Sequence, residues 1–94
     1  MYKVTCVDNK FGTPIYRYRR IDDKTDEVRL MSVKVFVADA INPIIIDNVE
    51  AIDVSYDDDA NVFTTFKYLL TGLKQYKELS LINVVGYEIL PEED

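Results

Sequence analysis

The 94 residues suit one domain, since two would each be too small to bury a core. An apolar fraction of 48% with a charged fraction of 30% excludes a disordered chain. With 11 basic against 17 acidic residues the net charge is −6, which argues against non-specific duplex binding; the lack of histidine and the single cysteine exclude the usual zinc and haem sites.

Tyr2–Val7 alternates and is rich in β-formers, with Tyr2, Val4 and Cys6 on one face, which predicts a first strand. Asp8–Pro14 has turn chemistry, and Gly12 is free to take positive φ. Ile15–Ile21 follows as the hairpin partner. Tyr16, Tyr18 and Arg20 point one way from it, and Ile15, Arg17, Arg19 and Ile21 the other. Asp22–Glu27 reads as a polar loop. Ser32 is a candidate N-cap, and Val33, Phe36, Val37, Ala40 and Ile41 recur at helical spacing. This stripe favours a helix over 32–41, although Val33 and Val35 are β-branched and leave a strand open. Pro43 bounds the segment.

Ile44–Ile46 and Val49–Tyr56 read as strands separated by the turn-prone pair Asp47-Asn48. Asp57–Asn61 is a polar loop, with Asn61 or Thr64 as the cap of a second helix. Phe66, Leu69, Leu70, Leu73 and Tyr76 form its apolar stripe, and Lys67, Lys74 and Lys77 its outer face; Gly72 weakens it. Leu79–Leu90 is the most continuously apolar segment and predicts a buried strand, followed by an acidic tail from Pro91 to Asp94. The expected fold is therefore α+β: a single mixed or mainly antiparallel sheet with two helices packed on one face, a two-layer sandwich. It is expected to form one domain over residues 1–94, with a folded core at 2–90 and a frayed tail at 91–94.

Met1-Tyr2-Lys3-Val4-Thr5 opening a strand is followed by Gly12-Thr13-Pro14-Ile15-Tyr16-Arg17-Tyr18-Arg19 after a turn. Then come a Ser-led segment from Ser32 to Ile41 and Ile46-Asp47-Asn48-Val49. Over residues 2–63 this order resembles small uncharacterised proteins of phages and integrated mobile elements in Gram-positive bacteria. The chain departs from them at Val33, Val35 and Phe36, where they carry Glu and Lys. The resemblance assigns no site residue. It implies an accessory protein of a mobile element, one that inhibits or regulates a host factor.

Asp57-Asp58-Asp59 with Asn61 has the D-x-D-x-N spacing that starts a calcium loop. Val62 and Tyr68 stand where an EF-hand requires Gly and Glu, so that reading fails and the run is a solvated loop. Asp22, Asp23, Asp26 and Glu27 form a second acidic run, and Glu92–Asp94 a third. If these runs share one surface, they would present an acidic face to a partner's basic groove. Asp22, Asp23, Asp26, Glu27, Asp57, Asp58 and Asp59 are therefore the candidate partner-binding residues. Tyr16-Arg17-Tyr18-Arg19-Arg20 interleaves aromatics with cations, but alternation sends them to opposite faces, so direct nucleic-acid binding is disfavoured.

Cys6 has no histidine to act as its base, and the three glycines are isolated, so no nucleophilic or phosphate-cradling motif is present. No catalytic residue, cofactor or metal is expected. Seven tyrosines suit sheet packing or an interface. The lone thiol and the absence of an apolar leader or membrane-length stretch fit a reducing cytoplasm, that of the bacterial host. The expected function is a small acidic non-enzymatic module that binds another protein with a basic surface. The alternative is a structural or assembly subunit, a homo-oligomer built through a β-edge or a tyrosine patch.

Overall fold

A computed structural model describes residues 1–10, 13–38, 40–79 and 84–91. The predicted Gly12 turn, the first part of the predicted strand over 79–90 and the tail beyond Pro91 lie outside these residues. Eight strands form one sheet: β1 (Tyr2–Lys10), β2 (Thr13–Ile21), β3 (Val28–Arg29), β4 (Met31–Val37), β5 (Ile44–Asp57), β6 (Val62–Leu70), β7 (Lys77–Glu78) and β8 (Val84–Pro91). All pairings are antiparallel. The described residues contain no helix, so the α+β expectation is corrected to an all-β fold. Among the described residues, no helix is long and apolar enough to cross a membrane.

Both predicted helices fail for stated physical reasons. Over 31–37, Met31, Val33 and Val35 are fully buried, whereas Phe36 and Ile41 of the helical stripe are exposed, Ile41 almost completely at 99%. Period two prevails because β4 is an interior strand. It pairs with β5 from Met31↔Val49 to Val35↔Ile44 and with β8 from Met31↔Pro91 to Val37↔Val84. Backbone pairing on both sides suits β-branched side chains standing off a pleated surface. Over 61–76, Thr64, Thr65, Phe66 and Tyr68 extend along β5. The chain then reverses at Gly72, whose φ of 80° serves the turn, and β7 returns onto β6.

A bulge interrupts the alternation within β6. Ser55 pairs with Thr65 but Tyr56 pairs with Phe63, so Thr64 is the extra residue and Phe63 turns to the same face as Phe66. Asp47-Asn48 likewise does not separate two strands. β5 runs through it, with Asn48 at a φ of 60°, and two residues of β5, Asp47 and Asn48, oppose one of β4, Ser32, there. Asparagine tolerates this left-handed conformation better than most residues.

β5 organises the sheet. One of its sides meets β4 in its first half and β2 in its second, and its other side meets β6. In a flat sheet β6 and β8, three strand positions apart, would lie about 14 Å from each other. The rings of Phe66 and Tyr87 are instead 5.3 Å apart, so the sheet curls over its own inner face. Met31, Val33, Val35, Val49, Ile52, Val54 and Phe66 fill that concavity. β8 borders it as a half-buried strand, with Val85 exposed, and is less buried than its apolar sequence predicts. β1 pairs only with β2 among the described strands, and its side chains from Tyr2 to Asp8 are exposed.

Candidate functional site

The curl leaves one end of the inner face open. Alternation on β2 turns Tyr16 and Tyr18 toward it, beside Val54 and Ile52 of β5. Tyr56 follows Val54 on that face, the Thr64 bulge adds Phe63, and β8 contributes Tyr87. With Pro14 and Asp58 these residues line a cavity of about 500 Å³. The ring walls are tilted: Tyr56 and Phe63 meet edge to face at 4.9 Å and 69°, and Phe63 and Tyr87 at 6.0 Å and 65°. Burial, then the neighbouring Tyr18 phenol, push the Tyr87 hydroxyl up to about 12, so it stays protonated at any working pH. Tyr16 and Tyr56 are 41% and 42% exposed and form the mouth.

The Asp57–Asp59 turn stands at that mouth. Asp57 Oδ1 accepts the backbone N–H groups of Asp59 (3.0 Å) and Ala60 (3.3 Å), which ties the turn closed, and Asn61 takes a φ of 55° to finish it. This is the geometry of a hairpin turn, and Asn61 does not cap a helix. Asp58 and Asp59 make no ion pair among the described residues. Thr13, Pro14, Tyr56 and the three aspartates line a second, polar cavity of about 270 Å³.

The other acidic run lies elsewhere. Asp22–Glu27 turns from β2 into β3, past the far end of β2 from Pro14. Eight residues of extended chain separate the two runs, roughly 26 Å, several times the Debye length of about 8 Å at physiological salt. They are two independent patches, and Glu92–Asp94 lies outside the described residues. Within the run, Asp22 is spent internally. Arg29 donates to its Oδ2 from Nη2 (2.7 Å) and Nε (3.1 Å), and the N–H groups of Lys24 (2.8 Å) and Thr25 (3.2 Å) donate to Oδ1. Asp23 stands 3.6 Å from the Met1 ammonium, and Asp26 takes a φ of 58°.

Arg29 first, then the two amides, hold the Asp22 carboxyl down to about 2 from an ordinary 3.8. The folded state therefore favours its charged form. The stability this contributes is fully present above the ordinary carboxylate pKa and is lost as pH falls through about 2. Asp22→Asn is expected to lower the thermal midpoint modestly at neutral pH, with the gap to the parent chain closing as both are acidified toward pH 2. Melting curves along that pH series check it, and a gap that persists at the acid end would show that the charge is not its source.

The Tyr-Arg strip divides as its alternation predicts. Arg17 points to the outer face and grips Asp53 through Nε–Oδ1 (2.8 Å) and Nη2–Oδ2 (3.0 Å), with Tyr76 stacked 4.8 Å from the guanidinium carbon. The hydrogen bond to Asp53 raises the Arg17 pKa, outweighing burial. Asp53 is only 7% exposed and Ser55 2%, and the Ser55 hydroxyl has no hydrogen-bond partner. The cavity of about 220 Å³ beside them, lined in part by Asp8, Thr65 and Lys67, is polar. This outer-face cluster is a structural clasp between β2 and β5.

Sequence reasoning singled out Asp57, Asp58 and Asp59 but missed the aromatic cavity that Asp58 borders. Its signal was present in Tyr16-x-Tyr18 and Val54-x-Tyr56, two alternating strands with tyrosines on one face. Phe63 and Tyr87 join them only through the bulge and the curl. Comparison of the chain with protein-family models, curated proteins and solved structures finds no match.

Proposed function

We propose that the chain is a non-enzymatic module that binds a protein with a basic surface through the mouth formed by Tyr16, Tyr56 and the Asp57–Asp59 turn. The observation that carries this reading is the coincidence of half-exposed tyrosines with carboxylates, Asp58 and Asp59, that make no ion pair among the described residues, at the rim of a preformed cavity. Half-exposed tyrosines anchor interfaces because the ring is apolar and its tip polar, and surface carboxylates steer a cationic partner into place. The Asp22–Glu27 run is a separate patch and is not needed. The resemblance of residues 2–63 to mobile-element proteins supports a regulatory or inhibitory role toward a host factor in the bacterial cytoplasm.

The test is affinity capture with the immobilised chain and with an Asp58→Lys, Asp59→Lys variant, at about 0.05 M and about 0.5 M salt. Partners retained at low salt, shed at high salt and lost by the variant are the expected result. Capture indifferent to both changes would overturn the reading. The exposed β1 edge favours the alternative, a homo-oligomer. A single-chain mass by light scattering of the same preparation at micromolar concentration removes it.

A further inference from the structure

The two cavities at the mouth adjoin, since Pro14, Tyr56 and Asp58 line both. Together they make a trough with an aromatic end and an acidic end. The aromatic end is lined by Tyr16, Tyr18, Tyr56, Phe63 and Tyr87, with Tyr56–Phe63 and Phe63–Tyr87 meeting edge to face. A cation over the face of a tyrosine is attracted by the ring's negative quadrupole, and the attraction grows as water is excluded. The acidic end offers Asp58 and Asp59 without a partner of their own among the described residues. Two arginines of β2 are engaged elsewhere. Arg17 is held by Asp53 on the opposite face, and Arg20 donates to the Leu30 carbonyl at 3.1 Å.

We infer that the trough seats an arginine-bearing segment of the basic partner, one guanidinium lodged between Tyr16 and Tyr56 against Asp58 and a second cation held outside at Asp59. This rests on the reading above and names what the mouth recognises. Arginine fits the aromatic end better than lysine. Its guanidinium is planar, stacks on rings, is weakly hydrated and meets a carboxylate with two parallel hydrogen bonds. Lysine presents a compact, strongly hydrated ammonium that gains less from the rings. A segment carrying two cations suits the site better than a small free cation, because the acidic end extends the trough beyond the cavity and calls for a second charge.

The seven tyrosines and the absence of tryptophan make tyrosine fluorescence a direct reporter. Titration with amidated hexa-arginine and hexa-lysine peptides at one fixed salt concentration separates ring recognition from charge. Hexa-arginine is expected to bind about tenfold more tightly than hexa-lysine, and the Tyr16→Leu, Tyr56→Leu double variant to lose about tenfold for hexa-arginine and most of the preference. Asp58→Asn, in an exposed turn that Asp57 closes, is expected to weaken both peptides a few-fold. Calorimetric titration follows the double variant, whose reporter signal is reduced. Equal affinity of the parent chain for the two peptides, or an unchanged hexa-arginine affinity in the double variant, would overturn the inference and leave a general acidic surface. Failure of the parent chain to bind either peptide at low salt would overturn the function proposed above. Circular dichroism confirms that the double variant is folded; if it is not, the arginine preference of the parent chain and the Asp58→Asn titration decide.

Discussion

Phe66→Ala is expected to remove about 3–5 kcal/mol of folding stability, the usual cost of truncating a fully buried aromatic. Phe66 has no exposed surface and stands edge to face with both Phe63 and Tyr87, so one ring links β6 to β8 across the closed side of the sheet. A domain of this size has on the order of 5–10 kcal/mol in all. The variant is therefore expected to be marginally folded, its thermal midpoint lowered by roughly 15 °C or more. Urea titration followed by circular dichroism measures the loss. Phe36→Ala is the control: a phenylalanine truncated at an exposed position, expected to cost under about 1 kcal/mol. Equal losses at the two positions would contradict both the curl of the sheet and the strand assignment of 31–37.

Arg17→Ala is the second large effect, expected at about 3 kcal/mol. The loss comes mainly from what is left behind. Asp53 would keep its carboxylate under the outer face with both guanidinium hydrogen bonds gone, and an uncompensated buried charge is costly. Lys67, cross-strand from Asp53, can recover part of this. Arg17→Lys is expected to recover only part as well, since a single ammonium cannot make the two-pronged contact or the stack on Tyr76. Replacing both partners by apolar residues, Arg17→Met with Asp53→Leu, is expected to restore stability to within about 1 kcal/mol of the parent. A double-mutant cycle in urea provides the measurement. A loss under about 1 kcal/mol with additive single effects would mean that solvent screens the pair as it does a surface bridge.

The two predictions act on opposite faces of the same strands. Phe66 and its neighbours hold the inner face closed, and the Arg17–Asp53 clasp fixes β2 against β5 from outside. The mouth at Tyr16 and Tyr56 lies at the end of those two strands. Its preformed geometry depends on both, while its own residues are exposed enough to be changed without collapse.

Composition and alternation in the sequence determined the hairpin of β1 and β2, the opposite facing of the tyrosines and Arg17, the strand character of 44–46 and 49–56, and the concentration of acid into runs. These are local properties. Period-two alternation and turn residues act over a few positions, and composition needs no fold at all. Tertiary structure decided what those rules left ambiguous. Val33-x-Val35 against Val33, Phe36, Val37 is a contest between two periods, and β4 became a strand because β5 and β8 pair with it on both sides. Phe66, Leu69, Leu70, Leu73 and Tyr76 have helical spacing, yet the chain as far as Leu70 pairs with β5 as a strand and turns at Gly72 before β7. Whether Asp22–Glu27 would meet Asp57–Asp59 depended on which ends of β2 they occupy. The cavity that Asp58 borders draws its walls from β2, β5, β6 and β8, residues up to 73 positions apart. No local pattern carries that information, because it arises only when backbone hydrogen bonds between distant strands bend one sheet over itself.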